Sequence, residues 1–260
     1  MPSATATKTP DLAQLLLGLG LRRIADELDD FVSHVTRKRF SVIQVLEEIA
    51  RVETQERARR SVERRLSRSR IGRFKPMADF DWHWPKKIDR AALERVLTLG
   101  FVDKGENVIL VAPEGLGKTM LVKNIAHQAV LAGKSALFVT ASDLLLDLSK
   151  QETARALENR LRHYTRPHVL CIDEIGYLSY DNQAADLLFQ VINRRYEHRS
   201  IVLTTNLSFS EWNTVFPHAT CTTALIDRLT HHAEIIPIDG DSYRKNEAEI
   251  AQKARRRDKK

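Results

Sequence analysis

The chain has 260 residues, of which 43% are hydrophobic and 29% are charged. These are values of a globular protein, and 10 glycines and 8 prolines are too few for a collagen-like or linker-like chain. The 41 lysines and arginines exceed the 34 aspartates and glutamates by seven. A basic chain of this kind favours a polyanion as partner over a membrane or an acidic small molecule.

The number of cysteines and the hydropathy of the chain indicate the cellular compartment in which the protein is expected. Two cysteines, Cys171 and Cys221, are too few for a disulfide framework or a zinc cluster. The apolar segment of residues 12–21 is interrupted by Gln14 and is followed by no small-residue cleavage site. No stretch approaches the roughly 20 apolar residues of a membrane span. We therefore expect a soluble, cytoplasmic protein with no membrane partner.

The first part of the chain has the apolar spacing of helices. Apolar residues recur every three or four positions over residues 12–35, which predicts two short amphipathic helices. Ser41 followed by Gln44 is a capping-box pattern and predicts that a third helix begins near residue 41. These signals predict a small, all-helical N-terminal domain over residues 1–69.

Most of the positive excess lies in residues 51–75, where ten basic residues face three glutamates. Arginine side chains suit phosphate oxygens, so this basic stretch is a candidate contact with the DNA backbone. A solvated helix face is the alternative interpretation. The candidate nucleic-acid contacts are Arg57, Arg60, Arg64, Arg68 and Arg73.

A change of composition after Pro76 indicates a domain junction. Residues 79–85 are aromatic and acidic, so we assign residues 70–85 to the junction, 86–245 to the main domain and 246–260 to a basic, disordered tail. Short apolar runs then alternate with helical segments, which favours an α/β fold with a parallel sheet flanked by helices. The runs cover residues 107–112, 135–140, 168–173, 200–205 and 234–238.

A glycine-rich loop follows the first of these predicted strands, and a helical segment follows the loop. In a phosphate-binding loop, glycines let backbone N–H groups face the phosphates, a lysine reaches the outer phosphates and a hydroxyl binds Mg²⁺. Lys118 and Thr119 stand at the lysine and hydroxyl positions. The residues assigned to nucleotide binding are Pro113, Gly115, Leu116, Gly117, Lys118, Thr119 and Met120.

The first position of the usual phosphate-loop pattern departs from glycine. Ala112 stands there. Alanine can occupy this turn if its backbone φ is negative. We expect phosphate binding to be kept, because the rest of the loop and its strand–helix context are intact.

Polar side chains follow two further predicted strands. Asp173 and Glu174 come after the apolar residues 169–172, at the sheet edge where open α/β folds bind ligands. We expect Asp173 and Thr119 to hold Mg²⁺ and Glu174 to orient and polarise the attacking water. Asn206 ends the strand of residues 200–205 and is the candidate for positioning that water, with a simple turn residue as the alternative.

In combination, these segments resemble the AAA+ ATPases of the IstB/DnaC group, and in particular the IstB-like helper proteins of insertion-sequence transposition. The likeness covers residues 12–244 and is carried by the P-loop together with LCIDEIGYL, IVLTTNLSFSEW and ALIDRLTHHAEIIPIDGDSYR. The resemblance implies a P-loop AAA+ fold, Mg²⁺-dependent hydrolysis of ATP to ADP and phosphate, and an ATP-dependent homo-oligomer.

The resemblance also assigns roles to two arginines. Arg228 matches the arginine finger that such proteins insert into the neighbouring subunit's nucleotide site. Arg244 falls where a sensor 2-like arginine would bind nucleotide, although this group lacks a full helical lid. From the residues alone, a surface salt bridge of Arg228 with Asp227 or Glu234 is the alternative.

Two further pairs of side chains have open assignments. Phe80 and Trp82 precede the core where related proteins place side chains near the adenine, and packing at the domain junction is the alternative. His231 and His232 adjoin Arg228, but no carboxylate or cysteine stands at metal spacing in the sequence. We expect solvated or capping histidines there.

The biological role comes from the resemblance alone. It implies a protein that assembles on and remodels target DNA and recruits or activates a transposase. The implied partners are duplex DNA, further copies of the chain and the transposase of the same insertion element. A DnaC-like loader of a replicative helicase, with the N-terminal helices as its docking surface, is the alternative.

Overall fold

The computed structural model describes residues 11–176, 181–217 and 220–247. The chain divides into two compact units, Met1–Arg64 and Arg65–Lys260. The division falls inside one continuous helix, five residues before the boundary placed at residue 69 from the sequence. Most of the basic tail assigned to residues 246–260 lies outside the described residues.

The N-terminal unit is helical. Residues 12–35 were expected to form two helices, but a break at Glu27 divides the second one, so the segment forms three. The predicted capping box is confirmed: Ser41 N–H donates to Gln44 Oε1 at 2.8 Å, and Gln44 N–H donates to Ser41 Oγ at 3.3 Å. The helices are α1 (Leu12–Gly18), α2 (Arg22–Asp26), α3 (Leu28–Arg37) and α4 (Val42–Ser69).

A buried carboxylate joins α2 to α4 within this unit. The residue before α2, Leu21, provides no side-chain cap. Instead Glu53 of α4, only 3% exposed, accepts the N–H of Ile24 at 2.9 Å. A carboxylate at a helix N-terminus satisfies a free donor and interacts favourably with the helix dipole.

The larger unit is built on one six-stranded sheet. All five predicted apolar runs are strands, and a two-residue strand precedes them that is too short to show a periodicity. The strands are β1 (Lys87–Ile88), β2 (Asn107–Val111), β3 (Ala136–Thr140), β4 (Val169–Ile175), β5 (Ser200–Thr205) and β6 (Ala233–Asp239). Their order is β1-β6-β2-β5-β4-β3, with β1 antiparallel to β6 and all other neighbours parallel.

Helices flank this sheet, as the alternation of patterns predicts. Two short 3₁₀ turns, Met77–Asp79 and Phe209–Glu211, accompany them, and the second opens with a capping box of Ser208 and Glu211. No helix in the described ranges has both the length and the apolar character needed to cross a membrane. The helices are α5 (Arg90–Leu97), α6 (Gly100–Lys104), α7 (Lys118–Leu131), α8 (Ala141–Ser149), α9 (Ala154–Thr165), α10 (Asn182–Arg195), α11 (Trp212–Val215) and α12 (Thr222–Thr230).

The central strands are buried on both faces, which explains their nearly continuous apolar sequences. Residues of β2, β4 and β5 such as Ile109, Cys171 and Val202 are fully buried, and Cys171 is a free thiol. Because β5 lies between β2 and β4, three parallel strands end side by side at one edge of the sheet. This edge carries the P-loop, the acidic pair and Asn206.

Candidate functional site

The P-loop depends on two glycines. Gly115 and Gly117 both have φ of +81°, a backbone conformation that other residues rarely adopt. A Cβ on Gly115 would lie 2.1 Å from Ser242 Oγ, and a Cβ on Gly117 would lie 3.1 Å from a ring carbon of Phe80. The loop therefore requires glycine at both positions, and Gly117 directly precedes α7.

Ala112 has the backbone conformation that allows an alanine at the first position of the P-loop. Its φ is negative, and its N–H donates to the carbonyl of Thr205 at 3.0 Å. Its side chain is buried. The turn at the end of β2 therefore does not need glycine at its first position, and the loop keeps its course.

The ammonium of Lys118 is held inside the loop. Lys118 is 6% exposed, and its Nζ donates to the carbonyls of Ala112 at 2.6 Å and Pro113 at 2.8 Å. Burial lowers the pKa of Lys118, while the nearby Asp173 opposes this shift. A cation held only by loop carbonyls is suited to exchange those carbonyls for phosphate oxygens.

The two residues predicted to hold Mg²⁺ are in direct contact. Thr119 Oγ1, at the start of α7, donates to Asp173 Oδ2 of β4 at 2.7 Å. Asp173 is buried. A hydroxyl beside a carboxylate forms the all-oxygen donor set that Mg²⁺ prefers, and Mg²⁺ sites in proteins need only one or two such groups. The residues at this position therefore fit the ion.

The backbone at Glu174 is unusual for a strand. Its φ is +66°, and the register between β4 and β5 shifts between Ile172 and Ile175. A bulge of this kind re-aims a side chain, and Glu174 lines the same cavity as Lys118. Burial raises the pKa of the Glu174 carboxyl, and the charge of Asp173 raises it further.

A cavity of about 390 Å³ opens beside the loop, a size typical of small-molecule sites. Most of the predicted nucleotide-binding residues contribute to its wall, whereas Pro113 and the buried Asp173 do not line it. The predicted residues that line it are Gly115, Leu116, Gly117, Lys118, Thr119, Met120, Glu174 and Arg244.

Two aromatic residues of this cavity were missed from the sequence. Trp84 and Tyr243 pack edge to face, with ring centroids 5.4 Å apart. Trp84 Nε1 donates to the carbonyl of Asp241 at 2.7 Å, and Tyr243 N–H donates to the carbonyl of Gly115 at 3.0 Å. These contacts join chain segments about 130 to 160 positions apart, so no local pattern predicts them, although Trp84 belongs to the aromatic segment of the junction.

The structure separates the roles of Phe80 and Trp82. Phe80 is buried against Gly117 and lines the cavity, where its ring is available to a planar ligand. Trp82 does not line the cavity. It packs edge to face on Phe80 at 5.0 Å and lies beneath the guanidinium of Arg90 at 4.8 Å, which is a packing role.

Asn206 lies at the predicted sheet edge. It directly follows β5, and its Oδ1 is buried without a hydrogen-bond partner among the described residues. The same oxygen lies 2.7 Å from where a Cβ on Gly176 would stand, so glycine is required at that neighbouring position. A buried acceptor without a donor is costly, and a bound water or ligand would satisfy it.

Arg228 makes neither of the salt bridges considered from the sequence. Glu234 pairs instead with Arg95 at 2.9 Å, and Arg228 forms no ion pair within the described residues. Its guanidinium lies 4.7 Å from the centroid of the Phe189 ring, and its Nη1 is buried without a partner there. Arg228 does not line the cavity of its own subunit. Arg244, by contrast, is exposed and lines it.

His231 and His232 are exposed, and the fold brings a carboxylate close to them that sequence spacing does not show. Glu197 Oε1 lies 3.8 Å from His232 Nε2, and one ligand atom from each of the three residues falls within 4.8 Å of the others. His231 Nδ1 also lies 2.6 Å from the hydroxyl of Tyr196. Spacing could not reveal this cluster, because Glu197 is 34 positions before His231.

The candidate DNA contacts differ in their pairing. On α4, Arg57 and Arg64 are exposed and form no salt bridge with a described residue. Arg60 donates to Glu56 Oε1 at 2.6 Å, and Glu56 also pairs with Arg59 at 2.7 Å. These two arginines lower the pKa of Glu56 to about 2. The charge of Arg60 is therefore partly neutralised, unlike that of Arg57 and Arg64.

The remaining two candidates lie in the larger unit. Arg68, near the end of α4, and Arg73, in the junction, are both exposed. Neither forms an ion pair with another residue in the described part of the chain. No carboxylate of the described residues therefore offsets the charge of these two side chains.

Comparison with known proteins identifies relatives over nearly the whole chain. A family model described as IstB-like ATP binding protein matches residues 14–251. The ATP-binding protein of insertion sequence IS5376 from Geobacillus stearothermophilus is 35% identical over 232 residues, which cover 89% of this chain and 92% of that protein. The ATP-binding protein of insertion sequence IS21 from Pseudomonas aeruginosa is 35% identical over 237 residues, covering 91% and 89%.

Solved structures share the fold of the larger unit. DnaI superposes with a TM-score of 0.54 at 22% identity, over 66% of this chain and 91% of that chain. The replication initiator DnaA bound to AMPPCP and single-stranded DNA superposes with a TM-score of 0.51 at 15% identity, over 63% and 52%. At these identities the likeness establishes an AAA+ fold and no more.

Proposed function

The chain belongs to the IstB-like family of insertion-sequence ATP-binding proteins, and from this premise we propose that it is an Mg²⁺-dependent ATPase that assembles on DNA. One observation carries the hydrolytic part of this proposal. Thr119, which lines the cavity together with Lys118 and Glu174, donates a hydrogen bond to the buried Asp173. These are the groups that phosphoryl transfer to water requires, at one edge of one sheet.

Each of these residues has a distinct task. Lys118 binds outer phosphate oxygens and offsets the negative charge that develops on the transferring phosphoryl group. Thr119 and Asp173 hold Mg²⁺, which neutralises charge on the β- and γ-phosphates when bound. Glu174 accepts a hydrogen bond from the attacking water and takes its proton, and Asn206 orients that water through its free Oδ1.

The adenine is expected to lie against the aromatic wall of the cavity. Phe80, Trp84 and Tyr243 supply ring surface, and Arg244 supplies a cation at the cavity edge. Aromatic side chains bind planar bases by stacking. The raised pKa of Glu174 supports its role as a base, because a base acts best when its pKa is close to the working pH.

Arg228 acts in a neighbouring subunit. It lines no part of its own cavity, lacks a carboxylate partner in the described chain and has a buried N–H without an acceptor. Its stacking on Phe189 restrains the side chain at one end of α12. A second copy of the chain would bring a γ-phosphate to this guanidinium, which makes hydrolysis depend on a homo-oligomer.

The proposed polyanion partner is duplex DNA. Four exposed arginines that form no ion pair with a described residue support this assignment: Arg57, Arg64, Arg68 and Arg73. Arg60 contributes less because Glu56 accepts its hydrogen bond. Membership of a family encoded by insertion sequences supports a role beside the transposase of the same element, on target DNA that the assembled protein remodels.

A helicase loader is the second candidate, and exposed apolar residues of the N-terminal unit favour it. Leu19, Val42 and Ile43 are 72%, 77% and 68% exposed, which suits a protein-docking surface. Electron microscopy with a non-hydrolysable ATP analogue distinguishes the two. Particles that assemble on duplex DNA alone support the transposition role, whereas particles that require a replicative helicase support the loader.

Hydrolysis is tested by replacing the proposed base. Glu174→Gln keeps the size and polarity of the side chain but cannot accept a proton. We expect phosphate release to fall about 100-fold or more while ATP binding is retained. Glu152→Gln, an exposed glutamate between α8 and α9 that does not line the cavity, is the matched control. Unchanged phosphate release from Glu174→Gln would contradict the assignment.

A further inference from the structure

A single buried hydroxyl connects the two acidic residues of the site. Thr204, on β5, is fully buried. Its Oγ1 donates to Asp173 Oδ1 at 2.5 Å and accepts the backbone N–H of Glu174 at 2.8 Å. Thr204 was not a candidate from the sequence, because it precedes Asn206 within an apolar strand and contacts residues 30 and 31 positions away.

The first of these hydrogen bonds orients the carboxylate of Asp173. Its two oxygens have different partners, with Oδ1 bound by Thr204 and Oδ2 bound by Thr119. A hydrogen bond to a buried carboxylate is among the stronger ones in proteins. Because Thr204 binds Oδ1 from within the sheet, Oδ2 is the oxygen that bonds to Thr119, a residue of the cavity wall.

The second hydrogen bond supports the strained backbone of Glu174. Glu174 has φ of +66°, a left-handed conformation that is sterically unfavourable for a residue other than glycine. The bulge also removes Glu174 from the regular β4–β5 pairing, since the register shifts between Ile172 and Ile175. Its N–H would then lack a partner, and Thr204 Oγ1 provides one.

We propose that Thr204 is a positioning residue of the hydrolytic site. It presents one oxygen of Asp173 to the metal position and holds the Glu174 backbone in the turn that directs its carboxylate into the cavity. This inference rests on the proposed ATPase function. One side chain then positions both the proposed metal ligand, Asp173, and the proposed base, Glu174, so a change at Thr204 disturbs both.

The experiment replaces Thr204 by valine, which has nearly the same shape but neither donates nor accepts. We expect kcat to fall about 10- to 100-fold, because misplaced catalytic groups cost this much, while ATP affinity in EDTA stays within about threefold. The Mg²⁺ concentration for half-maximal nucleotide binding should rise. Thr204→Ser, which keeps the hydroxyl, should restore both values, and Thr204→Ala is measured in the same way in case valine prevents folding.

Ser200→Ala is the matched control. Ser200 lies at the other end of β5, is equally buried and donates from its hydroxyl to the carbonyl of Phe101. This variant should lose stability without a change in kcat or in Mg²⁺ dependence. If it lowers kcat as much as Thr204→Val does, loss of stability explains both effects and the inference is wrong.

Hydrogen exchange of residues 171–176 provides a measurement independent of turnover. The Glu174 amide should exchange faster in folded Thr204→Val than in the wild type or Ser200→Ala, because its acceptor is gone. If the wild-type protein does not hydrolyse ATP, the proposed function is wrong. The hydrogen exchange of the Glu174 amide and the Mg²⁺ dependence of nucleotide binding then still test the role of Thr204. A folded Thr204→Val protein with wild-type exchange, Mg²⁺ dependence and kcat overturns the inference alone.

Discussion

Glu174 combines a left-handed backbone with a raised carboxyl pKa. Burial is the first cause of that shift, and the adjacent Asp173 is the second, while Arg244 and Lys118 act against it. Because the folded pKa is raised, the contribution of this group to stability is present at low pH and is lost as the pH rises through that pKa. Ionised Glu174 therefore reduces stability at neutral pH, the condition under which it acts as a base.

The pH dependence of hydrolysis follows from this shift. The active form of Glu174 is ionised, so kcat should fall on acidification at a pH above the ordinary value of 4.5. Arg244→Gln removes a charge that lowers the pKa of Glu174, so the acidic limb of kcat at saturating ATP should move to higher pH. Lys245→Gln, the exposed neighbour, should leave the limb in place. If the acidic limb of kcat in Arg244→Gln lies at the same pH as in the wild type, Arg244 and Glu174 do not interact.

Individual site residues differ in how far the sequence predicts them. Lys118, Thr119, Asp173 and Glu174 stand next to recognisable strands, and strand ends in a parallel sheet meet at one edge. Thr204 could not be predicted, because its contacts depend on β5 lying between β2 and β4. The carboxylate of Glu197 near His232 was missed for the same reason, since tertiary packing rather than spacing brings them together.

Among the secondary-structure elements, α10 ends on an unusual buried cation. Arg195 is fully buried, and burial lowers its pKa to about 9. It forms no salt bridge within the described ranges and donates to five backbone carbonyls instead. These carbonyls belong to the last two residues of α9, to two residues between α9 and β4, and to the first residue of β5: Tyr164, Thr165, Pro167, His168 and Ser200.

Arg195 should therefore be important for stability. Arg195→Met keeps much of the volume but leaves several buried carbonyls without a donor, so the free energy of unfolding should fall by about 3 kcal/mol or more. Arg194→Met removes an exposed pair with Glu158 and should cost less than about 1 kcal/mol. Urea denaturation of both variants measures the difference. Equal losses would mean that the five carbonyls do not depend on Arg195.

The central strands and some helix starts were predictable because each has a local cause. Strands β2, β4 and β5 are buried along nearly their whole length and are mostly apolar, and the capping boxes at Ser41 and Ser208 mark the start of a helix and of a 3₁₀ turn. Strand β1 was missed because two residues show no periodicity, and its pairing with β6 is a long-range contact. Helix α3 was joined to α2 because the apolar spacing continues across Glu27.

For the whole molecule, the excess of seven positive charges predicts salt-dependent DNA binding. Replacing Arg57, Arg64 or Arg68 by glutamine should reduce the log–log slope of affinity against salt by about 0.9 for each phosphate group that the variant no longer binds. Arg59→Gln is the control, because Glu56 and Glu63 already pair with Arg59. Duplex binding measured between low and moderate salt gives the slopes. A slope unaffected by all three replacements would exclude this part of α4 from the DNA surface.

The central claim is that the cavity beside the P-loop binds a nucleoside triphosphate through Lys118. Equilibrium binding of a fluorescent ATP analogue in magnesium buffer tests it most directly. Wild-type protein should bind saturably, Lys118→Ala should bind at least about tenfold more weakly, and Lys123→Ala, on the same helix but outside the cavity, should bind as the wild type does. Absence of binding to the wild type, or equal binding by Lys118→Ala, would contradict the claim.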